Sequence, residues 1–97
     1  MDNQVYLSIL YDYYGCLLTN TQKAYFEDYY FNNLSLTEIS ENFSVSRNAI
    51  HKTIKDTETK LSFYENKLHL YEKAKKIEKL INKINDKKIK EKLEELI

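Results

Sequence analysis

Proline is absent from these 97 residues, and glycine and cysteine occur once each. A sheet needs turn punctuation at each reversal, so a chain this poor in Gly and Pro argues against strands and for an all-α fold. Its abundance of Leu, Ile, Lys, Glu and Asn agrees. The longest apolar runs are only a few residues, too short for a membrane span or the core of a signal peptide. A lone Cys16 excludes an intrachain disulfide and fits a reducing, cytoplasmic setting, with a buried inert thiol as its expected role. Ninety-seven residues suffice for one modest core and not for two.

Net charge is zero, but its distribution is uneven. Residues 1–46 carry one lysine against six acidic groups, whereas residues 47–97 carry fourteen basic and nine acidic groups. No stretch is strongly basic, so binding of nucleic acid by one chain should be weak and salt-sensitive.

The change of sign falls inside the stretch that organises the chain, Ser35 to Ile54. Ser35 and Glu38 have the spacing of a reciprocal capping box, followed by Leu36, Ile39 and Phe43 on one helical face. Ser44-Val45-Ser46 interrupts that helix, with Val45 as an apolar plug and Ser46 as the next N-cap. A second helix then buries Ala49, Ile50 and Ile54 and turns Arg47, Asn48, His51, Lys52 and Lys55 outward. Two helices across a tight turn, the second with an outward basic and amide face, make a helix-turn-helix. An ordinary αα-hairpin is the competing reading, but it gives no reason for that polar face. Ser44 occupies the turn position where glycine is usual.

Upstream, Tyr6, Ile9 or Leu10, Tyr13 and Leu17 form a helical stripe, and Gly15 is placed to end it in the left-handed conformation. Thr19 and Gln22 repeat the capping-box spacing and open a helix over about Asn20 to Phe31, which Asn32-Asn33 ends. The nine tyrosines, most of them before residue 31, invite a base-stacking role. Their spacing follows helix faces, so they are read as core.

Downstream, Ile50, Ile54, Thr57, Leu61, Tyr64, Leu68 and Tyr71 are spaced 4, 3, 4, 3, 4 and 3. That heptad seam needs about 33 Å of continuous helix, far more than a recognition helix requires. Its phase then shifts to Leu70, Ala74, Ile77, Ile81 and Ile84, which predicts a break near residues 67–71. Asn85-Asp86 interrupts again, with Asp86 as the cap of a last helix carrying Ile89, Leu93 and Leu96. The chain thus divides into a helix-turn-helix domain over residues 1–66 and a C-terminal helical extension over 67–97. The extension packs on the same core or on a partner. A stripe this long exceeds what the first half can cover, and a homodimer is the expected solution.

With these residues in place, the chain resembles the YlxM-like family of small bacterial helix-turn-helix proteins. The resemblance is carried by Tyr14 to Thr19, Gln22 to Tyr30, Leu34 to Ser40, Val45 to Ile50 and Ile54 to Glu58. Leu18 to Leu61 is also similar to region four of bacterial sigma factors, the part that binds the −35 promoter element. The resemblance implies an all-helical fold, a bacterial cytoplasmic setting, no enzymatic activity, and a role in regulating or assisting the signal recognition particle pathway. Ser40 and Ser44 stand where sigma-like motifs more often carry Ala and Gly.

The chemistry then expected is duplex DNA binding, with no cofactor and no metal. Ser46, Arg47 and Asn48 lie at a helix N-terminus, where the dipole favours phosphate. The Arg47 fork suits guanine and the Asn48 amide suits adenine, with His51, Lys52 and Lys55 one turn further along. The alternative is a protein-interaction module in which the long seam or the C-terminal helices dock the particle's GTPase, with its RNA as a third candidate. Catalysis has no candidate residues. His51 and His69 are 18 positions apart, no second Cys accompanies them, and no glycine-rich phosphate loop is present.

Overall fold

In a computed structural model describing residues 1–97, the chain is entirely helical and elongated. The helices are α1 (Asn3–Tyr14), a 3-10 turn (Gly15–Leu17), α2 (Asn20–Tyr30), α3 (Leu36–Phe43), α4 (Arg47–Leu68), α5 (Leu70–Ile81) and α6 (Lys87–Glu94). The first four form a body around two adjoining apolar clusters, and α5 and α6 form a hairpin that leaves it. The radius of gyration is 17.1 Å, against about 12–13 Å for a compact domain of this size.

Local chemistry explains most boundaries. The Ser35 hydroxyl accepts the Glu38 N–H at 3.1 Å while Glu38 accepts the Ser35 N–H at 3.0 Å, so both expected capping boxes form, the other at Thr19 and Gln22. Accepting that N–H holds the Glu38 carboxyl below its ordinary range. Ser44 takes the left-handed conformation, φ 56° and ψ 41°, in place of the usual glycine. Val45 then donates its N–H back to Ser40 at 3.1 Å, closing the end of α3. Asp86 caps α6 through the Ile89 N–H.

Long α4 runs past all three preceding helices. Near its start Ile50 and Ile54 join Tyr25 and Ile39; further along Leu61 joins Leu7, Leu10, Tyr14, Leu18 and Phe26. Thr57 is fully buried between them and returns its hydroxyl proton to the Thr53 carbonyl. Rings fill much of this space, with Phe26 stacked 4.0 Å from Tyr30 and 4.7 Å from Tyr11. Tyr14 and Tyr25 are buried and Tyr6, Tyr11, Tyr29, Tyr30, Tyr64 and Tyr71 half-buried, as the core reading of the tyrosines requires.

Several positions differ from the sequence reading. The inward stripe of α1 is Leu7, Leu10 and Tyr14, continued by Leu18, whereas Tyr13 and Leu17 are exposed. Leu7 and Leu10 take the centre together with Tyr14, whose buried hydroxyl finds an acceptor in Glu65, while the Tyr13 ring stays at the surface. Gly15 has φ −56° and opens the 3-10 turn, so its handedness is ordinary. Its constraint is space, because a Cβ there would meet the Tyr11 ring at 3.2 Å. Cys16 is exposed rather than buried. Ala49 is exposed as well; at 100° per residue it lies on the flank of α4, away from the line of Ile50 and Ile54.

The expected break falls at one residue, His69, which is left-handed with φ 55° and ψ 30°. His69 contributes no side-chain cap to α5; buried Glu65 replaces it. One Glu65 oxygen accepts the Tyr14 hydroxyl at 2.6 Å and the Tyr71 N–H at 3.2 Å, and the other accepts the Glu72 N–H at 3.1 Å. Tyr14 in turn accepts the Leu70 N–H at 3.1 Å. A carboxylate from α4 and a phenol from α1 thus satisfy the orphan donors of the first turn of α5. The seam ends here, since Tyr64 is only half-buried and Leu68 is exposed.

Candidate nucleic-acid interface

Beyond the turn at Ser44, the first two turns of α4 present one continuous exposed face. The Ser46 hydroxyl accepts the Ala49 N–H at 3.1 Å, leaving its own proton free to donate outward. The N–H groups of Arg47 and Asn48 have no partner within the chain, as expected for the first turn of a helix. With Ile50 and Ile54 fixed in the core, 3.6 residues per turn brings Arg47 and His51 to one edge of the outward face. Asn48, Lys52 and Lys55 fall near its centre. All five are exposed, and the structure brings them together with Ser46 on one surface.

This face is not uniformly cationic. Lys52 pairs with Asp56 at 2.9 Å and Lys55 with Glu58 at 3.3 Å, while Arg47 and His51 have no carboxylate partner. The two lysine side chains are 79% and 63% exposed, which puts these pairs in the class worth roughly 0–1 kcal/mol. A phosphate competes with carboxylates bound that weakly. Glu58 is held more firmly than Asp56, because it also accepts the Tyr30 hydroxyl. Burial, followed by that bond, pushes the Tyr30 phenol well above its ordinary range.

Asp56 and Glu58 were missing from the sequence reading of this surface. Their spacing from Lys52 and Lys55, four and three residues, is the ordinary signal for helical ion pairs. Glu38 and Glu41 on α3 are the other acidic groups of the motif, and both face solvent. Glu38 is engaged in its capping box. The polar surface that α4 presents therefore begins at Ser46 and meets its first carboxylate at Asp56, about 15 Å along the helix.

A family model described as "Putative helix-turn-helix protein, YlxM / p13 like" (UPF0122) matches residues 1–97. Among curated proteins, the UPF0122 protein TTE1463 of Caldanaerobacter subterraneus is 44% identical over 85 residues, covering 88% of this chain and 73% of that protein. The UPF0122 protein OB1530 of Oceanobacillus iheyensis is 43% identical over 100 residues, covering 99% of this chain and 95% of its own length. The UPF0122 protein lwe1821 of Listeria welshimeri is 41% identical over 99 residues, 93% and 90% of the two chains.

Proposed function

The chain belongs to the UPF0122 family of helix-turn-helix proteins, and from that premise we propose that it binds duplex DNA as a transcription regulator, with the start of α4 in the major groove. The observation carrying this reading is the single exposed face of Ser46, Arg47, Asn48, His51, Lys52 and Lys55 at the free N-terminus of a helix braced from behind by Ile50 and Ile54. Ser46 and the two free N–H groups receive a phosphate. Arg47 and Asn48 read base edges as bidentate partners of guanine and adenine. Lys52 and Lys55 exchange their intrachain carboxylates for phosphates, and His51 lies on the same face as a further hydrogen-bonding group. The regulatory target suggested by the family resemblance is the signal recognition particle pathway.

Titration of labelled duplexes at several salt concentrations tests the reading. With three to four cations engaged, log affinity falls against log salt with a slope of about −3. Arg47→Ala with Lys52→Ala flattens that slope by about 2. Affinity indifferent to salt, or unchanged in the double variant, overturns the reading. The competing account, docking of the particle's GTPase or RNA, draws on the exposed apolar side chains of α5 and α6. It requires capture that depends on Leu70 and Ile77 and not on Arg47.

A further inference from the structure

The junction between α4 and α5 carries two helical registers that overlap. Ile50, Ile54, Thr57, Leu61, Tyr64, Leu68 and Tyr71 keep their 4 and 3 spacing straight through His69, as one uninterrupted helix would. Leu70, Ala74, Ile77 and Ile81 repeat that spacing one residue out of phase, about 100° round the helix, and belong to a helix that starts afresh. The structure follows the second register, breaks at His69 and leaves Leu68 exposed.

Nothing local makes that break. Residues 66–73 hold no glycine or proline, and the Leu, Lys and Glu among them are good helix formers. His69 takes a left-handed φ of 55°, which is costly for a residue with a Cβ, and it supplies no side-chain cap to α5. Its 3.0 Å contact with Glu72 favours the bend only weakly, since both side chains are half-exposed. The break is held from a distance. Buried Glu65 and the Tyr14 hydroxyl accept the Leu70, Tyr71 and Glu72 N–H groups, and Tyr14 donates to Glu65. In a continuous helix the same three N–H groups reach the carbonyls of Asn66, Lys67 and Leu68 instead. Two arrangements compete for one set of donors, and each excludes the other.

We propose that residues 65–72 form a two-state hinge, in which Glu65 and Tyr14 latch the bent form and their release merges α4 and α5 into one helix of about 52 Å. Release separates the Tyr71 ring from Tyr6 and Tyr13, whose centroids lie 5.8 and 6.1 Å away. It re-aims α5 and α6 together, because α6 packs chiefly on α5. It also opens the apolar cleft at the base of the hairpin, which has Tyr13 of α1 on one side and Leu70, Ile77 and Leu96 on the other. Any ligand that prefers one direction of the hairpin shifts the balance by its difference in affinity. The hinge lies at the far end of α4 from Ser46 and does not rest on the DNA reading.

The sign of φ at His69 is the direct readout, because the intraresidue Hα–HN NOE is strong for a left-handed residue and weak inside an α-helix. Glu65→Ala and Tyr14→Phe shift the ratio towards the continuous helix, by roughly tenfold or more for Glu65→Ala. Helical NOEs between Asn66 and Leu70 then appear. Spin labels at the exposed positions Glu41→Cys and Lys87→Cys, in a Cys16→Ser background, report a second distance. Circular dichroism keeps the native helix content, and the Leu70 to Glu72 amides exchange faster in the open helix than behind a buried carboxylate. His69→Gly added to Glu65→Ala restores the bend, since glycine takes positive φ without strain. A left-handed His69 with one unchanged label distance in both latch variants overturns the proposal. Loss of helix with a broad spread of distances overturns it equally, because it marks a frayed arm and no second state. Where Glu65→Ala does not fold, Tyr14→Phe carries the test, as it deletes two latch bonds and keeps the buried ring.

Discussion

The body and the hairpin are built from stripes of nearly the same spacing, and they have opposite fates. Along α4, Ile50, Ile54, Thr57 and Leu61 are all buried, because α1, α2 and α3 lie across them. Along α5, Leu70 and Ile77 stay open at the equivalent spacing, since only α6 and the edge of the body are in reach. An amphipathic pattern is thus a demand for a partner and does not specify one. Whether the demand is met within the chain depends on how many helices can gather around the stripe.

The sharpest break of this contrast is a pair of truncations. Phe26→Ala, at a fully buried ring stacked between Tyr11 and Tyr30, costs about 3–5 kcal/mol in urea unfolding. Ile77→Ala, at a side chain 41% exposed, costs about 0.5 kcal/mol or less. Equal losses would mean that the hairpin is as well enclosed as the body.

Next in size is the joint between the regions. Glu65→Ala strands the Tyr14 hydroxyl and the Tyr71 and Glu72 N–H groups, at a cost of about 1–3 kcal/mol. Hydrogen exchange should quicken in the first turn of α5 and stay slow in α2. The same joint gives an alkaline signature. Burial first, then the bond to Glu65, pushes the Tyr14 phenol from 10.0 up to about 12. A phenol whose pKa is raised on folding contributes stability in full below pH 10 and loses it as the pH climbs towards 12. Phenolate absorbance in step with loss of helix over that window is the expected result, and Tyr14→Phe removes this contribution.

The smallest effects concern the two left-handed residues that end α3 and α4. Ser44→Gly relieves a strained backbone, φ 56°, and should stabilise the body by up to about 1 kcal/mol. His69→Gly relieves a similar strain but gives up the 3.0 Å contact of His69 with Glu72, so its net gain is smaller. A loss of stability at Ser44→Gly would show that the serine does something besides accept the turn.

Much of this was legible in the order of residues, because the signals were local. Both capping boxes, the Ser44 turn, the outward face after Ser46 and the Asp86 cap depend on side chains within a few positions of the backbone they serve. What escaped depends on distance across the fold. Tyr14 and Glu65 are 51 residues apart, and nothing near either one announces that the carboxylate next to the seam residue Tyr64 will be the group that is buried. Gly15 read as a handedness signal, but it answers to a ring lying over it. The α1 stripe was displaced because eight apolar or aromatic residues among twelve offer more than one inward face.

By itself, then, the order of amino acids determined an all-helical chain, the positions of its helix starts, a long helix after Ser46 and the polar side chains along that helix's outer face. These follow from backbone donors satisfied nearby and from a periodicity of 3.6. Only the tertiary structure decided that Glu65 and Tyr14 hold α5 at an angle the sequence does not encode locally. It likewise decided that the last two helices leave the body beyond the docked first turn of α5, with an apolar side uncovered. Burial is a property of neighbours in space, and the chain brings those neighbours to α4 but not to α5.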